Sequence, residues 1–200
     1  MAANGELPPL PRAFYARPTA AVARDLLGKV LVRRARGRER RARIVEVEAY
    51  LGERDAASHA RRGPTPRSAI MFGPPGFLYV YFVYGMHHCM NFVTETDGVA
   101  GAVLIRAAEP LYGADLTELR GPGKLCKGLG VTIADKGLDL TAGAGGLYVT
   151  DAGQAPRAIR RSPRIGVDYA GPWAARHLRF FVPGHPSVSG RRLARPSSVT

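Results

Sequence analysis

The sequence predicts a single α+β domain built around a curved, mostly antiparallel β-sheet with a protruding β-hairpin. Three observations carry that expectation. Many short apolar or aromatic runs alternate with Gly- and Pro-rich turns, while few segments show helical spacing. Neither an internal repeat nor a shift in composition divides the chain. A length of 200 residues with 46% hydrophobic content suffices for one sizeable core. The expected organisation is a flexible N-terminal segment at 1–11, a domain at 12–185 and a flexible tail at 186–200.

The elements follow in order. Residues 1–12 are proline-rich and lack periodicity. Thr19 to Leu27 reads as a helix, with Thr19 as N-cap and Gly28 as the stop. Lys29–Arg34 and Ala42–Ala49 read as strands, and the arginine-dense stretch between them as a hairpin loop. That loop suits either phosphate contact or plain solvation. Tyr50 to Pro75 is a long irregular connection of the kind that is functional or disordered. Leu78–Val83 and Cys89–Val93 form a hairpin around Tyr84-Gly85-Met86-His87. Val99–Ala107 is an apolar strand, and Gly121–Gly130 begins a short helix after Gly-Pro-Gly. Leu147–Val149, Ile165–Val167 and Leu178–Val182 read as further short strands.

Charge bounds the partner. The formal net charge is +13 and the pI about 10.5, which favours a polyanion such as DNA, RNA or an acidic membrane surface. Codon bias toward arginine is the competing explanation, because only Lys29, Lys124, Lys127 and Lys136 are lysines. Cys89 and Cys126 stand far apart, which argues against a thiolate zinc site or a disulfide scaffold and fits a reducing cytosol. No apolar run approaches the ~20 residues that span a bilayer. The N-terminus lacks the order of a signal peptide. The expectation is a cytoplasmic protein with no membrane partner, no metal and no cofactor.

Two patterns bear on chemistry. In Ile44-Val45-Glu46-Val47-Glu48-Ala49-Tyr50, strand alternation puts Glu46, Glu48 and Tyr50 on one face and Val45, Val47 and Ala49 toward the core. A carboxylate near a core is costly unless paired or put to use. The residues alone leave open a solvated strand face or a catalytic one, and Glu46 with Glu48 could serve as a sugar-hydrolase pair. In Tyr79-Val80-Tyr81-Phe82-Val83-Tyr84-Gly85-Met86, Tyr79 and Tyr81 share a face and Tyr84 falls at the turn. Flat rings beside one projecting ring suit a protein that unstacks and holds a nucleobase.

The order of segments resembles the alkyladenine (3-methyladenine) DNA glycosylase family, the mammalian-type methylpurine-DNA glycosylases. The matching residues are Leu26–Val32, Arg43–Gly52, Asp55–His59, Thr65-Pro66-Arg67, Leu78–Met86, Cys89-Met90-Asn91, Val103–Leu111, Gly121–Cys126 and Arg164–Val167. They cover roughly residues 12 to 183.

The resemblance implies hydrolysis of the N-glycosidic bond of alkylated or deaminated purines in double-stranded DNA. Water is the nucleophile, no Schiff base forms, and 3-methyladenine is the first expected substrate. Glu48 is implied as the base that activates water, and Arg106 as the group that helps fix it, against an ordinary strand-end ion pair with Glu109. Tyr50, His59 and Tyr81 are implied as aromatic walls. Asn91 is implied as the residue that crowds the exocyclic amine of guanine, with Leu104 and Ile165 lining the pocket. Tyr84, supported by Met86 and His87, is implied as a wedge in the minor groove. Arg67, Lys124 and Gly166 are implied at the DNA backbone, where Arg61, Arg62 and Lys127 are also candidates.

The chain departs from the family in a short stretch after Glu109-Pro110-Leu111 and in His87 and His88 beside the wedge. The expected protein is a bacterial, nucleoid-associated monomer. A binder without turnover is the alternative, and an intact Glu48 and Arg106 argue against it.

Overall fold

The computed structural model describes residues 7–83, 85–113 and 118–190. One curled sheet holds eight strands: β1 (Val30–Ala35), β2 (Arg38–Tyr50), β3 (Leu78–Val83), β4 (His87–Val93), β5 (Ala102–Tyr112), β6 (Leu147–Thr150), β7 (Arg160–Ser162) and β8 (Arg179–Phe181). Three short helices accompany it: α1 (Arg12–Tyr15), α2 (Thr19–Leu26) and α3 (Pro122–Leu129). Every pairing is antiparallel, along β3-β4-β5-β2-β1-β6, with β8 on β2 and β7 on β8. The α+β expectation holds. No helix among the described residues is long and apolar enough to cross a membrane.

β2 organises the sheet. One edge pairs with β5 along its length. The other pairs with β1 over Arg38–Arg43 and then with β8 over Glu46–Glu48. The arginine-dense stretch expected as a loop is mostly strand. β1 and β2 meet at Arg36-Gly37, both at positive φ (52 and 71), a turn whose twist matches that of its flanking strands. Glu39 accepts from Arg34 at 2.7 Å and from Arg41 at 2.6 Å, which relieves like-charge crowding there.

The main core lies on one face of the sheet. Val47, Ala49, Leu78, Val80, Met90, Phe92, Val103 and Ile105 point into it, against Val22 and Leu26 of α2 and Leu125 and Leu129 of α3. Alternation is interrupted where β2 and β5 shift register around Ile44/Glu46 and Glu46/Val47. Val45, expected in the core, instead packs with Ala107 and Val188 in a separate cluster.

Other differences have local causes. Thr19 is the first helical residue, not the cap; its N–H and hydroxyl both donate to Glu95 Oε1, at 2.7 and 2.6 Å. β5 starts at Ala102 rather than Val99: the Val99 N–H donates to Thr96 O at 3.0 Å and the Gly101 N–H to Met71 O at 3.3 Å, neither to a neighbouring strand, and the backbone here is closely packed. A Cβ on Gly101 would lie 2.5 Å from Thr19 Oγ1, and one on Gly52 2.2 Å from the Ala100 carbonyl. Ile165–Val167 is a bend, not a strand, with Gly166 at φ 74. At the ends of the described chain, Leu10 N–H donates to Val149 O at 2.8 Å, and Val188 and Ser189 are buried.

Candidate active site

Opposite the core, alternation brings another set of side chains together. The pairing aligns Tyr79 with Asn91, Asn91 with Leu104, Leu104 with Glu48, and Glu48 with Arg179. One lateral row therefore crosses five strands. At about 4.8 Å per strand, Tyr79 and Glu48 stand roughly 14 Å apart, with a floor of Asn91 and Leu104 between them. Tyr79, Asn91 and Leu104 of this row, with the 50–75 connection and the 164–169 segment, line a cavity of about 360 Å³; Glu48 stands behind that lining, bonded to Tyr50 and Ile165. Tyr50, His59, Tyr81, Asn91, Leu104, Arg106, Ile165 and Gly166 all line the cavity.

Glu48 is completely buried. Its Oε2 accepts from the Tyr50 hydroxyl at 2.9 Å, and Nη1 of Arg106 lies 3.3 Å away; its Oε1 accepts from Ile165 N–H at 2.8 Å. A carboxylate has about four acceptor directions, so two hydrogen bonds and the ion-pair contact leave about one free. Burial, followed by the Glu48 charge, pushes the Tyr50 hydroxyl well above the ordinary tyrosine range, so it remains a donor. Burial alone would lower the Arg106 pKa, but Glu48 and then Glu46 carry it upward, and the guanidinium stays charged.

The aromatic wall is mutually supported. Nδ1 of His59 lies 2.9 Å from the Tyr79 hydroxyl, and its ring meets Tyr81 edge-on at 4.6 Å between centroids. Tyr79 and Tyr81 are 5.4 Å apart. Burial, and then Arg67, pulls the His59 pKa down to about 4, so the imidazole is neutral near pH 7. Nδ2 of Asn91 donates to the Tyr79 carbonyl at 3.2 Å, which orients the amide over the floor.

A second buried pair holds the Tyr50 wall from behind. Arg164 donates to both Asp55 oxygens, at 2.5 and 2.8 Å, and to the Ala49 carbonyl at 2.9 Å, with its guanidinium 4.7 Å from the Tyr50 ring centroid. Asp55 also accepts from Leu51 N–H and Ala57 N–H, each at 3.0 Å. These bonds order a connection that otherwise has short 3₁₀ turns and no strand.

Arg67, assigned to the DNA backbone, lines the cavity with its guanidinium 5.0 Å from the Tyr81 centroid. Lys124 lies outside the cavity and pairs with Glu118 at 2.7 Å. Met86 is 71% exposed at the β3–β4 end. Tyr84 lies outside the described residues. Glu46 faces Arg106, Arg179 and Ser189 rather than the cavity, so the sugar-hydrolase pair fails: every contact of its carboxylate is taken.

Cys89, Val167 and Tyr169, for which the sequence offers no signal, also line the cavity, as does Tyr79, which strand alternation sets beside Tyr81. The shared parity of Tyr79 with Tyr81 was the available signal. Among the described residues, no group of three His, Cys, Asp or Glu gathers as a metal site requires.

Sheet register sets the floor of the cavity, rings surround it, and a buried carboxylate lies behind its wall, bonded to two of the lining residues; such a concave, ring-lined cavity with a buried titratable group beside it is the usual form of a small-ligand site. The sequence matches the family model of the methylpurine-DNA glycosylases over residues 13–186, and the chain belongs to that family. Relatives include proteins bearing the name "Putative 3-methyladenine DNA glycosylase". One from Anaeromyxobacter dehalogenans (strain 2CP-1 / ATCC BAA-258) is 56% identical over 90% of this chain and 85% of its own length. Another from Methanocella arvoryzae is 51% identical over 92% and 98%, and one from Legionella pneumophila (strain Lens) 46% identical over 90% and 97%.

Proposed function

We propose that the protein is a monofunctional DNA-3-methyladenine glycosylase. It extrudes an alkylated or deaminated purine from duplex DNA, seats it in the aromatic cavity and hydrolyses the N-glycosidic bond, leaving an abasic site. The observation that carries this reading is Glu48: fully buried, bonded by Tyr50 and Ile165 and paired with Arg106, three residues that line the aromatic cavity.

Many alkylated purines are cationic. The Tyr50 and Tyr81 faces attract such a base by roughly 0.5–2 kcal/mol beyond burial, and a neutral His59 does not repel it. Arg67 is a permanent donor beside Tyr79, which favours the Tyr79 hydroxyl donating to His59 Nδ1. Nε2–H of His59 is then free to bond the base edge. Asn91 and Leu104 set the depth of the floor, and Asn91 crowds the exocyclic amine of guanine.

Water takes the open acceptor direction of Glu48. As the bond to the base lengthens, positive charge grows on the sugar, and the carboxylate both stabilises that charge and accepts the proton of the attacking water. The electron pair of the broken bond stays with the base, which leaves neutral if it was cationic and takes a proton from solvent if it was a neutral deaminated purine, and the hydroxyl from water bonds the sugar carbon. Arg106 holds Glu48 and the water in place. The described lining of the cavity contains no lysine, which agrees with water rather than an amine as nucleophile. Arg67 and the Ile165-Gly166 main chain approach the DNA backbone at the mouth. The wedge role of Tyr84 rests on the resemblance, with exposed Met86 beside it.

The test is Glu48→Gln. Base release from a methylated duplex should fall by about 100-fold or more, while affinity for a duplex carrying a tetrahydrofuran abasic analogue stays within a few-fold. Release at the wild-type rate would remove Glu48 from the chemistry.

A further inference from the structure

The excision scheme gives no task to Glu46, Arg179 or Ser189, yet Glu46 is buried and accepts four hydrogen bonds from this group and Arg106. Glu46 is completely buried, one alternation before Glu48 on β2. Its Oε1 accepts from Arg179 Nε at 2.7 Å, the Ser189 hydroxyl at 2.9 Å and Arg106 Nε at 3.2 Å; its Oε2 accepts from Ser189 N–H at 2.5 Å. Arg179 closes the ring by donating through Nη2 to the Ser189 carbonyl at 3.0 Å, and anchors Nη1 on the Ser162 hydroxyl at 3.1 Å. Arg106 Nη2 lies 3.5 Å from Ser189 Oγ. The remaining nitrogen, Nη1, faces Glu48.

The arrangement matters because arginine and carboxylate favour a two-pronged fork. A forked Arg106 would occupy both Glu48 oxygens and leave no lone pair for water. Glu46 holds the Nε edge of the guanidinium and so keeps the contact with Glu48 single. The bracing reaches the cavity wall as well. Val188 packs with Val45 and Ala107, and a Cβ on Gly190 would lie 3.1 Å from Ile165 Cδ1.

We infer that Glu46 is a positioning residue for Arg106, latched by Ser189 and Arg179, so that the 188–190 segment belongs to the excision machinery. The inference rests on the reading of Glu48 and Arg106 as the excision pair.

Two measurements on the full chain test it: single-turnover release of purines from a methylated duplex, and affinity for the tetrahydrofuran duplex. Glu46→Gln should slow release by about tenfold or more and Ser189→Ala by a few-fold, through misplacement of Arg106. Affinity should change less than about twofold in both, and Ser189→Thr should restore release. In an Arg106→Ala background, neither substitution should slow release further, because effects that run through one group do not add.

Full additivity on Arg106→Ala, or wild-type release by Glu46→Gln and Ser189→Ala while Arg106→Ala is impaired, would overturn the inference and leave the excision pair standing. Wild-type release by Arg106→Ala would sink the excision-pair reading and this inference with it. If Glu46→Gln does not fold, Ser189→Ala carries the test, since it keeps the main-chain bond to Glu46.

Discussion

His59 shares a hydrogen bond with Tyr79 and an edge contact with Tyr81, so its charge bears on both the fold and the ligand. Its folded pKa of about 4 lies below the ordinary 6.5. Between those values the unfolded chain takes up the proton and the folded chain does not. Stability therefore falls as pH drops from about 6.5 to about 4, by roughly 2–3 kcal/mol through this group, and levels off below. Urea unfolding at a series of pH values should show this slope, and His59→Gln should flatten it. The Asp55–Arg164 pair is a different case, because neither side chain reaches solvent. Asp55→Asn leaves a buried guanidinium uncompensated, and unfolding free energy should fall by about 3–5 kcal/mol. Base release should fall too, because the same guanidinium backs Tyr50.

Among elements, the connection after β2 is the one most exposed to a small change. Gly52 has φ 69, and a Cβ there would meet the Ala100 carbonyl. Gly52→Ala should cost about 2 kcal/mol or more, from left-handed strain plus the clash. Thermal unfolding should register it, and a matched change at solvent-facing Gly37 should lack the clash component. The strand parities of the site were legible in the sequence. Alternation placed Glu48 with Tyr50 and Tyr79 with Tyr81, because a period of two survives any choice of neighbour. It misplaced Val45, because the register shift between β2 and β5 arises from pairing and leaves no mark on either strand alone. The Asp55–Arg164 pair spans 109 residues and has no local signal. Ile165–Val167 looked like a strand from its apolar residues, but Ile165 N–H is spent on Glu48 rather than on a ladder.

For the whole molecule, the net charge of +13 sets how it meets DNA. Exposed Arg61 and Arg62 lie in the 3₁₀ turn that carries His59, and exposed Arg67 stands five residues beyond it. Affinity for a lesion-bearing duplex should fall roughly tenfold or more between about 50 and 200 mM salt, as condensed cations compete for the phosphates. A nearly flat titration would contradict phosphate neutralisation. The fold class came from many short strands and few helices, and those counts survive errors of boundary. The exchange of β1 for β8 along one edge of β2 could not be read, since it depends on which distant segment arrives there.

The latch on Glu46 also has a temporal side. Ser189 is made 143 residues after Glu46, and β8 must arrive before the edge of β2 beside Glu48 is covered. A chain still on the ribosome therefore carries its carboxylates without their clamp. On the proposed function, competence for base release comes late in synthesis, only once Ser189 has joined Glu46.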